Sequence, residues 1–360
     1  MRAVGPWFNP ILQAMVGDHL VGCLLGTAVG DALGLPYEGL SRHRAAKLLG
    51  PPNRHRLILG RGMVSDDSEH CWMVAEALLD SKADPAMFCT ALARRLRWWL
   101  LGLPAGVGFA TLRSVLRMWV GVSPQKSGVF SAGNGPAMRA AILGVSIEDR
   151  SHLLALIAAS SRVTHTDPKA EYGAIAVAVA ARMARQHSTV EPGQYLAAFH
   201  SLFGDTDSEF VTLMTETIQA VQLGITTPKF AEALGCTNGV TGYTYHTVPV
   251  AIHAWLSHQG NFRGALMAVI ECGGDTDTTA AIAGGIVGAG VGKQGIPPEW
   301  IEGLWLWPRS VVWIEHLASQ LDLLEARHHT SSPAWGLIPR NLLFLLTVLF
   351  HGLRRLLPPY

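Results

Sequence analysis

Charge is scarce in this sequence. Only 15% of its 360 residues are Asp, Glu, Lys or Arg, against roughly 25% in an ordinary soluble domain. The net charge is +1, which gives no broad field to draw in nucleic acid or another polyanion. Cysteine is sparse too. Cys23, Cys71, Cys89, Cys236 and Cys272 are odd in number, scattered, and form no CxxC pair. That argues against a disulfide framework or a zinc knuckle and fits a reducing, cytoplasmic setting. Near the N-terminus, Pro6 and Pro10 interrupt the apolar stretch, so no signal peptide is expected.

Several motifs are missing. Period-2 alternation bounded by hairpin turns is almost absent, and the best strand candidate is Arg56–Gly60. The stretch Gly284–Lys293 imitates a phosphate loop, but Val287 and Gln294 stand where a Walker A pattern needs Gly and Ser or Thr. A GxSxG nucleophile elbow is lacking, which lowers the case for a serine hydrolase.

What is abundant is helix. The sequence is 49% hydrophobic with 38 glycines, a composition suited to tightly packed helices with thin polar faces. Apolar residues recur at i, i+3 or i+4 in seven segments: 19–34, 70–81, 87–102, 151–163, 170–186, 262–273 and 311–327. Glycine and proline punctuate the intervals. The expectation is an all-α fold of roughly ten or more helices, compact over residues 17–325, with an N-terminal tail (1–16) and a C-terminal tail (326–360). Gly284, Gly288 and Gly292 read as positions where helices approach closely. The tail holds an uncharged run, Asn341–Leu353, followed by Arg354 and Arg355. That run is shorter than the ~20 residues a spanning helix needs. It predicts a short apolar helix at a membrane surface, on the body, or on a partner chain.

Two acidic helix starts stand out. In Gly62–His70, Ser65 reads as an N-cap, with Asp66 and Asp67 in the first turn, where the helix dipole favours them. The same hard oxygens suit Mg²⁺ or Mn²⁺. In Glu271–Gly290, Asp275 and Asp277 lie two residues apart, and such residues point about 200° from each other on a helix. They can face one point only if Asp275 precedes the helix, in a turn that Gly273 and Gly274 permit. With Glu38, five carboxylates thus sit beside glycines and hydroxyls. A pair of hard cations roughly 3.5–4 Å apart would neutralise such a cluster.

Six stretches, in order, carry a resemblance: GCLLGTAVGDALGLPYEG, SDDSEH, GNGPAMRAAILG, SRVTHTDPKAEYGAIAVA, GVTGYTYHTVPVAIHAW and GGDTDTTAAIAGGIVGAGVG. Together they make the chain, over about residues 18–310, resemble the ADP-ribosylglycohydrolase family. The resemblance implies an orthogonal multi-helix bundle and hydrolysis of the glycosidic bond of ADP-ribosylated protein or small molecule, with ADP-ribosyl-arginine favoured. It implies two divalent cations, Mg²⁺ or Mn²⁺, held by Ser65, Asp66, Asp67, Asp275, Asp277 and Thr278. Glu38 would stand beside them as base or proton relay, with Asp66 and Asp277 also essential to catalysis. Gly133, Asn134, Gly135 and Met138 would line the ADP-ribose, with His165 and Tyr243 at the border. Exposed amides after Gly133 would suit the diphosphate. Serine at 65 and 68 departs from the family's threonine, keeping the oxygen but losing the stiff χ1. Two rival readings are a non-catalytic binding or structural protein of the same fold, and a divalent-metal phosphohydrolase.

Overall fold

The computed structural model describes residues 10–203, 208–323 and 336–356. Residues 1–9, 324–335 and 357–360, parts of both expected tails, lie outside the described residues. Among those described are eighteen α-helices and one two-stranded ribbon, so the all-α expectation is met. Each of the seven periodic segments lies on a helix over its described residues, with caps at Gly102, Val163 and Glu271, except that Cys272 and Gly273 pass beyond the helix into a turn and the ribbon. Side chains of Ser65, Asp84, Asp149, Asp167 and Asn261 cap helix starts by accepting backbone N–H groups, satisfying donors with no partner inside the helix.

The expected strand at Arg56–Gly60 does not form. Leu59 (φ 46°) and Gly60 (φ 77°) turn the chain sharply, and Ile58 pairs with Arg61 across that turn as a single bridge. The ribbon lies elsewhere: β1 (Leu40–Ser41) runs antiparallel to β2 (Gly273–Gly274). Two-residue strands leave no alternation to read.

Six helices frame the site: α1 (Pro10–Gly34), α2 (Asp66–Ser81), α3 (Pro168–Gln186), α4 (Thr244–Ser257), α5 (Thr276–Val291) and α6 (Leu337–Arg354). The most central is α5, which packs on α1, α3 and α4. It is apolar all round, as a helix surrounded by protein must be.

The seam between α1 and α5 is made of backbone. Gly22 faces Gly288, Gly26 faces Gly284, Gly30 faces Ala280 and Gly34 faces Thr276, so the helices run antiparallel. A Cβ added at Gly30 would lie 2.0 Å from the Ala280 carbonyl oxygen, and one at Gly26 2.2 Å from that of Gly284. No side chain fits there. The prediction from the glycines at 284 and 288 is therefore met, and α1 carries the matching row at 22, 26, 30 and 34. Thr276 Oγ1 closes the seam by donating to the Gly34 carbonyl at 2.9 Å. The acidic start of α5 is thereby fixed beside the end of α1.

A paired test follows. Gly30→Ala should destabilise the fold by about 1–3 kcal/mol, the usual range for overpacking. Gly17→Ala, on the same helix with nothing within 4 Å of the added carbon, should stabilise it by roughly 0.4–1 kcal/mol. Urea denaturation of the two variants checks both signs.

By length and composition, residues 17–37 and 337–354 are apolar enough to cross a membrane. The first stretch is 94% buried in the core. The second, α6, packs on the body through a small cluster in which Phe344 meets Leu35, Leu57 and Met63.

Candidate functional site

A cavity of about 550 Å³ opens where the starts of α2 and α5 meet the end of α1. Its lining includes Glu38, Asp66, Asp67, Asp275, Asp277 and Thr278 on one side. Gly133, Asn134, Gly135, Met138 and His165 lie on the other. The cavity falls within the usual size of a small-molecule site.

Ser65 caps α2 by accepting from Asp67 N–H at 3.3 Å, and its hydroxyl donates to Asp67 Oδ2 at 3.1 Å. It is buried and lies behind the lining residues. Asp275 immediately precedes α5, with φ −78° and ψ 69°. Gly273 (φ 74°) and Gly274 (φ 80°) make the turn before it, as the dihedral argument requires. Asp277 follows in the first turn, and Thr278 Oγ1 donates to Asp67 Oδ2 at 3.2 Å. That bond joins the two acidic starts.

Asp31, which the sequence reading missed, organises the α2 start from below. It is fully buried in α1. Its carboxylate accepts from Ser65 N–H at 2.9 and 3.0 Å, from Ser68 N–H at 3.1 Å, and from Ser68 Oγ at 2.5 Å. Burial lifts its pKa to about 6, and the hydrogen bonds from Ser68 and Ser65 limit the rise. The available signal was position: Asp31 directly follows Gly30 in a largely apolar core helix, where a carboxylate needs a reason to be buried.

Three loops are laced together around the far wall. Asn134 N–H donates to the Gly242 carbonyl (3.0 Å), Thr244 N–H to Ala132 (2.9 Å), and Asp275 N–H to Val240 (2.7 Å). Asn134 Nδ2 donates to Asp275 Oδ2 at 2.7 Å and to Thr247 Oγ1 at 3.0 Å. The glycines flanking Asn134 are needed for closeness: a Cβ on Gly135 would meet the His165 ring at 2.9 Å. The amides of Gly133, Asn134 and Met138 bond Ser131 Oγ, Gly242 O and Asn134 O, so these three are not free donors for a diphosphate. Past Pro136 the chain makes a three-residue 3₁₀ turn, not a long helix.

His165 stands on the cavity wall with Nδ1 2.8 Å from Thr164 Oγ1. Burial, then the charge of Arg139, depresses its pKa to about 3, so it is neutral at physiological pH. Arg139 was also missed. It is fully buried and donates to Ser160 O, Thr164 Oγ1 and Ser160 Oγ, with Nη1 3.1 Å from His70 Nδ1. Burial lowers its pKa to about 10 against the pull of Asp66. Tyr243 is not brought into the cavity. Its backbone bridges Gly133, while its ring turns to an adjoining groove with Tyr245, Glu209 and His246. Its hydroxyl accepts from Lys169 Nζ there. Exposed Phe109 lines the mouth, a residue with no motif to announce it.

Electrostatically the acidic wall is under pressure. Desolvation, followed by neighbouring acids, holds Asp66, Asp67 and Asp277 well above the carboxylate range. At the cavity rim, partial desolvation and then Asp275 lift Glu38, opposed by Arg355 and a hydrogen bond with Asp277. Five carboxylates crowd one wall with Asp31 buried beneath it, and the guanidiniums of Arg139 and Arg355 lie within reach of their field.

Among the described residues, no three His, Cys, Asp or Glu side chains are gathered tightly enough to form a ready metal cluster. The donor chemistry nevertheless fits a hard cation. Asp67 Oδ1 is buried with no hydrogen-bond partner, its neighbours are all oxygen donors, and an added positive charge would relieve their mutual repulsion.

Comparison with known proteins covers most of the chain. A sequence profile described as ADP-ribosylglycohydrolase matches residues 12–332. An uncharacterised protein of Archaeoglobus fulgidus is 32% identical over 317 residues, covering 85% of this chain and 96% of that protein. The ADP-ribosylarginine hydrolase Tri1 of Pseudomonas putida is 28% identical, covering 86% of this chain and 81% of its own length. A solved structure described as an ADP-ribosylglycohydrolase-related protein complex superposes with a TM-score of 0.67 at 26% identity. The match spans 86% of this chain and 99% of that one.

Proposed function

Because this chain belongs to the ADP-ribosylglycohydrolase family, and is a hydrolase of ADP-ribosylated substrates, we propose that it cleaves ADP-ribosyl-arginine on protein with the aid of two divalent cations. The observation that carries this reading is the convergence of Asp66, Asp67, Asp275, Asp277 and Glu38 on one wall of a single cavity. Arginine is favoured by the name of the Tri1 relative. Five free, buried cysteines support a cytoplasmic setting as part of the same reading.

Asp66, Asp67, Asp275, Asp277 and Thr278 would hold the cations, Mg²⁺ or Mn²⁺, with Ser65 bracing Asp67 from behind. Bound there, the cations would supply charge to orient the distal ribose hydroxyls and to polarise a water. The chain's own residues do the rest. Asp31 fixes the α2 start through three N–H and hydroxyl donors. Asn134 aims Asp275. The raised pKa of Glu38, with its carboxyl at the cavity rim, suits it to take a proton from water and return it to the leaving nitrogen. Neutral His165 borders the sugar without adding charge. The C-terminal stretch enters as part of the site's frame.

The test is a panel of arginine-, serine- and acetyl-linked ADP-ribose, each with and without Mg²⁺ or Mn²⁺. Free ADP-ribose should appear fastest from the arginine linkage, and a chelator should stop it. A serine-linked substrate turned over with equal or higher kcat/KM would overturn the acceptor assignment. Turnover unaffected by chelation would overturn the cations.

A further inference from the structure

Helix α6 begins beyond residue 332, where the family match ends, and it packs the unexpected way round. Its buried residues are Arg340, Asn341, Phe344 and Thr347, while Leu342, Leu346, Leu349, Phe350 and Leu353 are exposed. The inward polar side chains serve backbone carbonyls. Arg355 Nη1 donates to Glu38 O at 2.6 Å and Nη2 to Pro36 O at 3.0 Å. His351 Nε2 lies 2.6 Å from Leu57 O, and Asn341 Nδ2 donates to Gly102 O at 2.7 Å. Arg340 donates to Val64 O and sits 3.6 Å from Glu69 Oε1.

Two of these carbonyls bear on the acidic wall: Glu38 itself, and Val64, the residue before Ser65. Downstream, Gly39 N–H donates to Gly274 O at 2.7 Å and leads into the β1–β2 ribbon, whereas Glu38 itself is weakly tied. Its own N–H makes a 3.3 Å bond to Leu35 O, and Gly39 sits at φ 69°. A guanidinium is a rigid fork of charged donors, so two carbonyls at once fix position better than one flexible contact. Arg44 in turn donates to the Arg355 carbonyl, holding the end of α6 in place.

We propose that α6 is a strap that positions the acidic centre, with Arg355 setting the Glu38 backbone and Arg340 setting the approach to Ser65–Asp67. Both are positioning residues. Any catalytic consequence rests on the function proposed above, but the mechanical claim does not. If α6 merely covered Leu35, Leu57 and Met63, removing the Arg355 guanidinium would leave the Glu38 segment unchanged.

The experiment uses the full chain, with amide hydrogen exchange of Arg355→Ala and Arg340→Met. Arg355→Ala should speed exchange across residues 37–41 at least tenfold, leaving 63–67 within twofold of wild type. Arg340→Met should do the reverse. Unchanged exchange at 37–41 in Arg355→Ala, the half-buried and therefore gentler variant, overturns the strap. On whichever ADP-ribosylated substrate the wild type hydrolyses, Arg355→Ala should lower kcat about tenfold with KM within twofold. Arg355→Lys should recover part of the loss. In a Glu38→Gln background Arg355→Ala should cost less than twofold more, because residues acting through one another are not additive. Full additivity would overturn the assignment to Glu38. A wild type inactive on every substrate would count against the proposed function alone, and exchange would then decide the strap.

Discussion

Asp277→Asn is expected to cost at least roughly a thousandfold in ADP-ribose release while making the metal-free protein more stable. The two effects share one cause. Asp277 is 6% exposed, and its pKa is held high by burial and then by Glu38, Asp275 and Asp67. Without cations, the folded chain must either keep a repelled charge or take up a proton at neutral pH. Asparagine does neither. Its oxygen can still accept from Thr278 N–H, a 2.9 Å bond in the native chain, and its amide can donate to the neighbouring Glu38 carboxylate. Each pKa unit so relieved is worth about 1.4 kcal/mol. Losing an acidic ligand removes several kcal/mol of charge stabilisation, at one decade of rate per 1.36 kcal/mol. Denaturation in chelator together with a release assay reads both signs. A variant both less stable and fully active would refute the account of the acidic wall.

The second large effect is a stability increment from divalent cations that grows with pH. The sign can be worked from the raised acids. A carboxyl whose folded pKa exceeds its unfolded value near 3.9 contributes stability that is complete below that value. The contribution is lost as pH rises through the folded pKa. For Asp31 that loss begins near 3.9 and is complete just above about 6, and it extends higher for the acids held well above the normal range. Buried His165, depressed to about 3, acts oppositely: its stabilisation is present above 6.5 and is lost as pH falls. A single stability curve would mix the two. The difference between curves with and without Mg²⁺ or Mn²⁺ cancels the histidine and isolates the wall. It should be small at pH 5 and approach about 2.7 kcal/mol at pH 8 when the ion is a hundredfold above its Kd. A difference that does not change with pH would mean that ions bind elsewhere.

Much of this could be read before any coordinates. The all-α class followed from 3.6-residue periodicity, and the two acidic starts followed from local rules about caps, glycines and helix geometry. What was hidden depends on contacts between distant residues. Asp31 looks like a polar residue on a helix until Ser65 and Ser68 are seen to need its oxygens. Arg139 follows a glycine-rich turn in sequence yet serves His70 and Thr164 far along the chain. Helix α4 contains Pro249, which masks its pattern. The Asn341–Leu353 run reads as apolar, but which face it buries depended on carbonyls at Pro36, Glu38 and Val64.

The seam between α1 and α5 has a consequence for how such a site can change over time. Most cores drift, because a methyl lost from one side chain can be regained by another. Where backbone rests on backbone there is nothing to trade, and small corrective steps do not exist. The offset between Asp31 and Asp277 is therefore set by the thickness of two bare helices, a gauge that residue substitutions elsewhere in the core leave untouched.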